Sequence, residues 1–99
     1  MAILLTSLQN AHIKNILKLN NRHHRDDQKK TVVEGVREAQ RALHCGIIPH
    51  EAYICPELIT TVEATAVWQQ LQTLEEEGQL SLFTVTPELF AKAAYRGQS

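Results

Sequence analysis

Ninety-nine residues make one domain with a single core and leave no room for a cofactor-binding domain beside a substrate domain. With 43% hydrophobic and 21% charged residues the composition is that of an ordinary soluble chain, no apolar run is long enough to cross a bilayer, and Met1–Leu5 lacks the basic stretch and length of a signal peptide. The formal net charge of −1 hides an asymmetry: residues 1–30 set six cations against Asp26 and Asp27, for +4, and the remainder sets four cations against nine glutamates, for −5.

From Asn10 the chain reads as a helix, with Asn10 as N-cap, Ile13, Ile16 and Leu17 at the spacing of one buried stripe, and an end near Asn20-Asn21. Residues 22–30 contain no apolar side chain and read as a solvated loop, followed by a strand at Thr31-Val32-Val33. A second helix runs from Val36 to about His44 with Val36, Ala39 and Leu43 facing inward, and Gly46 stands where a left-handed residue closes it. Ala52–Cys55 is a short strand stopped by Pro56, and Thr61–Glu77 has helical spacing through Val67, Leu71 and Leu74 up to Gly78. Leu80–Val85 is a third strand. Thr86 then caps a last helix that has Pro87 at its first position and Leu89, Phe90 and Ala93 on its inner face.

Strands alternating with helices imply a three-layer α/β/α sandwich around a small, mostly parallel sheet. The last residues, Tyr95-Arg96-Gly97-Gln98-Ser99, read as the start of a loop, so the chain is expected to be part of a longer one. Cys45 and Cys55, in a chain without an export signal, are expected to be reduced thiols of the core in the cytoplasm. With His44 and His50 they match no zinc spacing, so no metal site is expected. No nucleophile stands with a base and an orienting acid, so no catalytic residue is expected either. Trp68 and Tyr95 are isolated aromatics for which packing is sufficient.

The cations carry the functional signal. Lys14, Lys18 and Arg22 fall at i, i+4 and i+8, with Arg25 continuing the line if the helix extends, and Lys29 and Lys30 adjoin them. Like charges four apart repel by a few tenths of a kcal/mol per pair. A nucleic-acid backbone offsets that repulsion, because each cation that neutralises a phosphate releases a counterion. His23 and His24 add stacking or charge at lower pH. Gly35, between the expected strand and helix, belongs to neither a dinucleotide fingerprint nor a P-loop, and Glu34 beside it would repel a phosphate. Gly35 therefore reads as the hinge of a tight turn and Glu34 as an organising carboxylate for Arg37 or for an arginine of the preceding segment.

In this order and spacing, LTSLQNAHIKNILKL, RHHRDDQKKTVVEGVREAQRALHCGI and LFTVTPELFAKAA resemble the N-terminal substrate-binding domain of the SpoU (TrmH-type) RNA ribose methyltransferases over most of residues 5–96. The most specific part is Ser7, Asn10, Ile13-Lys14, the Arg22–Arg25 segment and Val33–Arg37. The resemblance implies a ribosomal-protein-like RNA-binding fold that grips ribosomal or transfer RNA through Asn10, Lys14, Lys18, Arg22, Arg25, Lys29, Lys30 and Arg37. It also implies a separate C-terminal SPOUT domain, outside these residues, that binds S-adenosylmethionine, methylates a ribose 2′-hydroxyl and forms a homodimer. Residues 1–99 on their own are expected to bind RNA, without a cofactor and without methylating it. Two departures stand out: the family often has an aromatic at Thr31 or Val32, and Ile59–Gly78 is longer and more acidic than in the family. A free-standing RNA-binding adaptor of the same fold is the alternative, and a protein-interaction domain using the helix at 61–77 is a third reading.

Overall fold

The computed structural model describes residues 2–97, and the backbone alone for residues 95–97. Its sheet has three strands, β1 (Ile3–Leu5), β2 (Glu51–Ile54) and β3 (Ser81–Val85), in the order β1-β3-β2 and all parallel. Phe83 of the central strand is in register with Ile3 on one side and Tyr53 on the other. A parallel sheet is covered on both faces, so its central strand must be apolar in both directions, and Leu82, Phe83 and Val85 are all buried.

Five helices supply the cover: α1 (Ala11–Lys18), α2 (Arg22–Gln28), α3 (Val36–His44), α4 (Val62–Glu76) and α5 (Pro87–Gly97). Because alternate strand residues point to opposite faces, β3 divides the core in two. Phe83 and Val85 join Leu5, Cys55, Ile13 of α1 and Leu89 of α5 on one side. Leu80 and Leu82 join Val67 and Leu71 of α4 on the other, with Ala39 and Leu43 of α3, Trp68 and Leu74 packed around them. The result is the expected α/β/α sandwich, with α1 and α5 in one layer and α3 and α4 in the opposite one.

Local chemistry sets most boundaries where the sequence places them. Asn10 caps α1, its side-chain oxygen accepting from the His12 N–H at 2.8 Å. Thr61 and Thr86 cap α4 and α5 by accepting from Ala64 N–H at 3.0 Å and Leu89 N–H at 3.2 Å. Gly46 and Gly78 take positive φ values of 83° and 75° after α3 and α4, a conformation that costs glycine little.

Several expectations are corrected. Residues 22–28 form a helix rather than a loop, because Asn21 caps it at 2.8 Å through the His23 N–H and its backbone bonds need no apolar stripe. Thr31–Val33 belongs to no strand. Both sides of the central β3 are taken by β1 and β2, and Thr31–Val33 pairs with the outer edge of neither, so Val33 stays about half exposed (51%). The third strand of the sheet is instead Ile3–Leu5, a segment for which the sequence sets up no strand expectation. Val36 and Phe90 are exposed rather than inward-facing, whereas Ala39 and Leu43 of α3, and Leu89 of α5, join the cores. Cys55 is a buried core thiol, whereas Cys45, just past the end of α3, is exposed. Tyr95–Gly97 continue the helix rather than begin a loop, and Gln98 and Ser99 lie outside the described residues.

Candidate nucleic-acid interface

Helix α1 separates its duties by face. Ile13 is buried with Ile16 and Leu17 packed beside it, while Lys14 and Lys18, one turn apart, stay exposed. Lys18 also lies in the last turn, where the negative end of the helix dipole favours a cation. The line expected to run on to Arg22 is interrupted: the helix ends at Lys18, Leu19 is its buried cap residue, and the chain turns through Asn20 and Asn21. Arg22 instead opens α2, where it is highly exposed and sits 3.7 Å from Asp26 in an i, i+4 pair.

The corner between α1 and α2 is built from polar side chains. Arg25 directs Nη1 back at α1, donating to the Leu19 carbonyl at 3.0 Å and the Asn20 carbonyl at 2.9 Å. Asn15 and Gln28 exchange two amide hydrogen bonds, at 3.0 and 2.8 Å. Past α2, Lys29 takes a left-handed conformation with φ of 55°, and the Lys30 N–H closes the helix end on the Arg25 carbonyl at 3.1 Å. Both lysines thus stand at the C-terminal, electronegative end of α2. His23 and His24 meet edge to face with ring centroids 5.6 Å apart, His23 being exposed.

Gly35, at φ 91°, is the N-cap residue of α3, and no side chain caps that helix. A side chain there would be strained whatever the space around it, which suits a tight entry into α3, although no strand precedes that turn. Glu34 makes no ion pair among the described residues, so the expected carboxylate–arginine contact is absent from this geometry. Arg37 is exposed in the first turn of α3, and therefore belongs to the layer on the far side of the sheet from Lys14 and Lys18. The structure thus gathers Lys14, Lys18, Arg22, Lys29 and Lys30 around the α1–α2 corner and leaves Arg37 apart. Arg25 lies in the same corner but spends Nη1 on the backbone, whereas Asn10 caps the opposite end of α1. Glu63, Glu75, Glu76 and Glu77 are carried by α4 and its cap in the other layer, so the charge asymmetry of the sequence becomes one between layers.

A second constellation escaped the sequence reading because its members are far apart in the chain. The His12 ring lies 4.5 Å from that of Phe83, which stacks on Tyr53 at 4.9 Å, and His12 Nδ1 is 3.3 Å from Glu51 Oε2. Tyr53 donates its hydroxyl to Glu51 at 2.9 Å. Burial first, and then that hydrogen bond and the carboxylate charge, raise the Tyr53 pKa well above its ordinary value. Through Phe83 and Glu51, His12 ties the start of α1 to the sheet, and the same Glu51 accepts from the Tyr53 phenol. No helix among the described residues is long and apolar enough to cross a membrane, and no group of three metal-ligating side chains occurs among them.

No match was found to a curated protein or to a solved structure. The family model of the MRM3-like substrate binding domain, however, matches residues 10–99, from the cap of α1 through both helices of the basic corner to the last residue of the chain. The chain belongs to that family, the substrate-binding region of SpoU-type RNA methyltransferases, and the membership supports an RNA-binding role.

Proposed function

We propose that this domain is the RNA-recognition part of an S-adenosylmethionine-dependent 2′-O-ribose methyltransferase acting on ribosomal or transfer RNA. The observation that carries the RNA surface is the α1–α2 corner, where Lys14, Lys18, Arg22, Lys29 and Lys30 stand on helix surfaces that neither core uses. On this reading those five side chains, with Arg37 at a second point, hold the phosphate backbone, and Asn10, Glu34 and Gly35 shape the elements that carry them.

Methyl transfer is assigned to a C-terminal SPOUT domain beyond residue 99, through which the whole protein forms a homodimer in the cytoplasm. The residues described here do not fit the cofactor. Their open cleft beside α4, lined by Ile59, Thr61, Val62, Thr65 and Gln69 among others, offers apolar and hydroxyl groups but no carboxylate for a ribose or a sulfonium. No step of the transfer is therefore derived from these side chains.

Fluorescence anisotropy with a labelled ribosomal RNA hairpin tests the reading. About six phosphate contacts predict an affinity that falls roughly a thousandfold between about 50 and about 200 mM salt. Failure to bind at the lower salt concentration would leave the α4 face, as a protein-interaction surface, the better account.

A further inference from the structure

Helix α2 contains no apolar residue and buries none, so no hydrophobic contact docks it. Its attachments to α1 are the two bonds from Arg25 and the amide exchange between Asn15 and Gln28. The carbonyls that Arg25 reaches follow the last turn of α1, where helix geometry leaves oxygens without intrahelical partners. Nη1 has two N–H groups and both are spent on them. The acceptors are neutral, so the bonds hold the segment 22–30, in which Arg22, Arg25, Lys29 and Lys30 outweigh Asp26 and Asp27, against the cationic α1 without cancelling the charge of Arg25. A lysine would not reproduce this, because an ammonium on a flexible stem lacks the planar fork that aims two bonds from one nitrogen.

We propose that Arg25 is a positioning residue that presets α2 on α1, so that Arg22, Lys29 and Lys30 meet the same RNA as Lys14 and Lys18 without an ordering cost at binding. This deepens the RNA-binding reading and rests on it. A preset arm makes the same phosphate contacts in the complex as a loose one, and differs in what the free protein has already ordered. Arg25 therefore contributes to affinity and leaves the salt dependence alone, whereas a direct phosphate contact contributes to both.

The test compares the unmodified chain with Arg25→Lys and Arg25→Gln, using salt titrations of binding to a labelled ribosomal RNA hairpin and amide hydrogen exchange of residues 22–28. Because no residue of α2 belongs to either core cluster, either substitution leaves both cores intact. The expected result is that both variants bind about fivefold to tenfold more weakly, as for one or two lost hydrogen bonds of preorganisation. Their log–log salt slopes match that of the unmodified chain, and their α2 amides exchange faster while those of α1 do not. The proposal is overturned if Arg25→Gln lowers the slope by about one and Arg25→Lys restores affinity. Unchanged α2 exchange in both variants also overturns it. If the unmodified chain does not bind the hairpin at low salt, the RNA reading on which the proposal rests is overturned, and the exchange of α2 still decides whether Arg25 holds the helix.

Discussion

Asn15 and Gln28 face each other across the α1–α2 corner and exchange both amide hydrogen bonds, Nδ2 to Oε1 at 3.0 Å and Nε2 to Oδ1 at 2.8 Å. Removing one partner leaves the other amide part-buried and unpaired, which costs more than the net worth of the bonds. Asn15→Ala and Gln28→Ala are each expected to lower unfolding free energy by about 1 kcal/mol. The double variant is expected to cost about as much as either single one, since the bonds are shared. Urea unfolding of the four proteins checks this, and simple additivity would show that the pair is not coupled.

Lys29 occupies the left-handed region at φ 55°, where an L side chain crowds its own backbone. Lys29→Gly relieves that strain at the end of a helix and is expected to stabilise the domain by about 0.5–1 kcal/mol, the gain being limited by glycine's extra freedom when unfolded. A rise in thermal midpoint combined with weaker RNA binding would separate the backbone role of this residue from its charge.

The phenol of Tyr53 is held protonated by burial and by donation to Glu51, so its folded pKa lies above the ordinary 10.0. The stability this gives is fully present below pH 10. It is lost as pH rises from there through the folded pKa, because the unfolded chain releases the proton first. Tyr53→Phe is expected to lower stability at neutral pH, through the lost bond to Glu51, and to flatten the decline above pH 10. Urea midpoints between neutral and alkaline pH measure both effects, and parallel pH profiles for the two proteins would contradict the assignment.

Parts of the fold with their own local chemistry were legible in the sequence. The Asn10 cap of α1, the Thr86-Pro87 start of α5, and the glycines after α3 and α4 each satisfy local backbone requirements within a few residues. Parts decided by competition between distant segments were not legible. Thr31–Val33 has better strand residues than Ile3–Leu5, yet the latter holds the place beside β3. Helix α2 escaped because a helix docked by Arg25, Asn15 and Gln28 leaves no hydrophobic period to detect, although the Asn21 cap was a readable sign. The cations themselves were found from spacing, but the turn at Asn20-Asn21 shows why spacing did not reveal their arrangement.

The central claim is that Lys14 and Lys18 hold RNA phosphates and that the fold gains little from the pair. Both are exposed on α1 at i, i+4, where their mutual repulsion destabilises the helix by a few tenths of a kcal/mol. The most direct measurement is the salt dependence of RNA binding by the Lys14→Gln/Lys18→Gln double variant, with its unfolding free energy taken alongside. The account predicts a log–log slope smaller by roughly one to two units and a stability within about 0.5 kcal/mol of the unmodified chain, the lost dipole interaction of Lys18 offsetting the relieved repulsion. An unchanged slope at unchanged stability would contradict it.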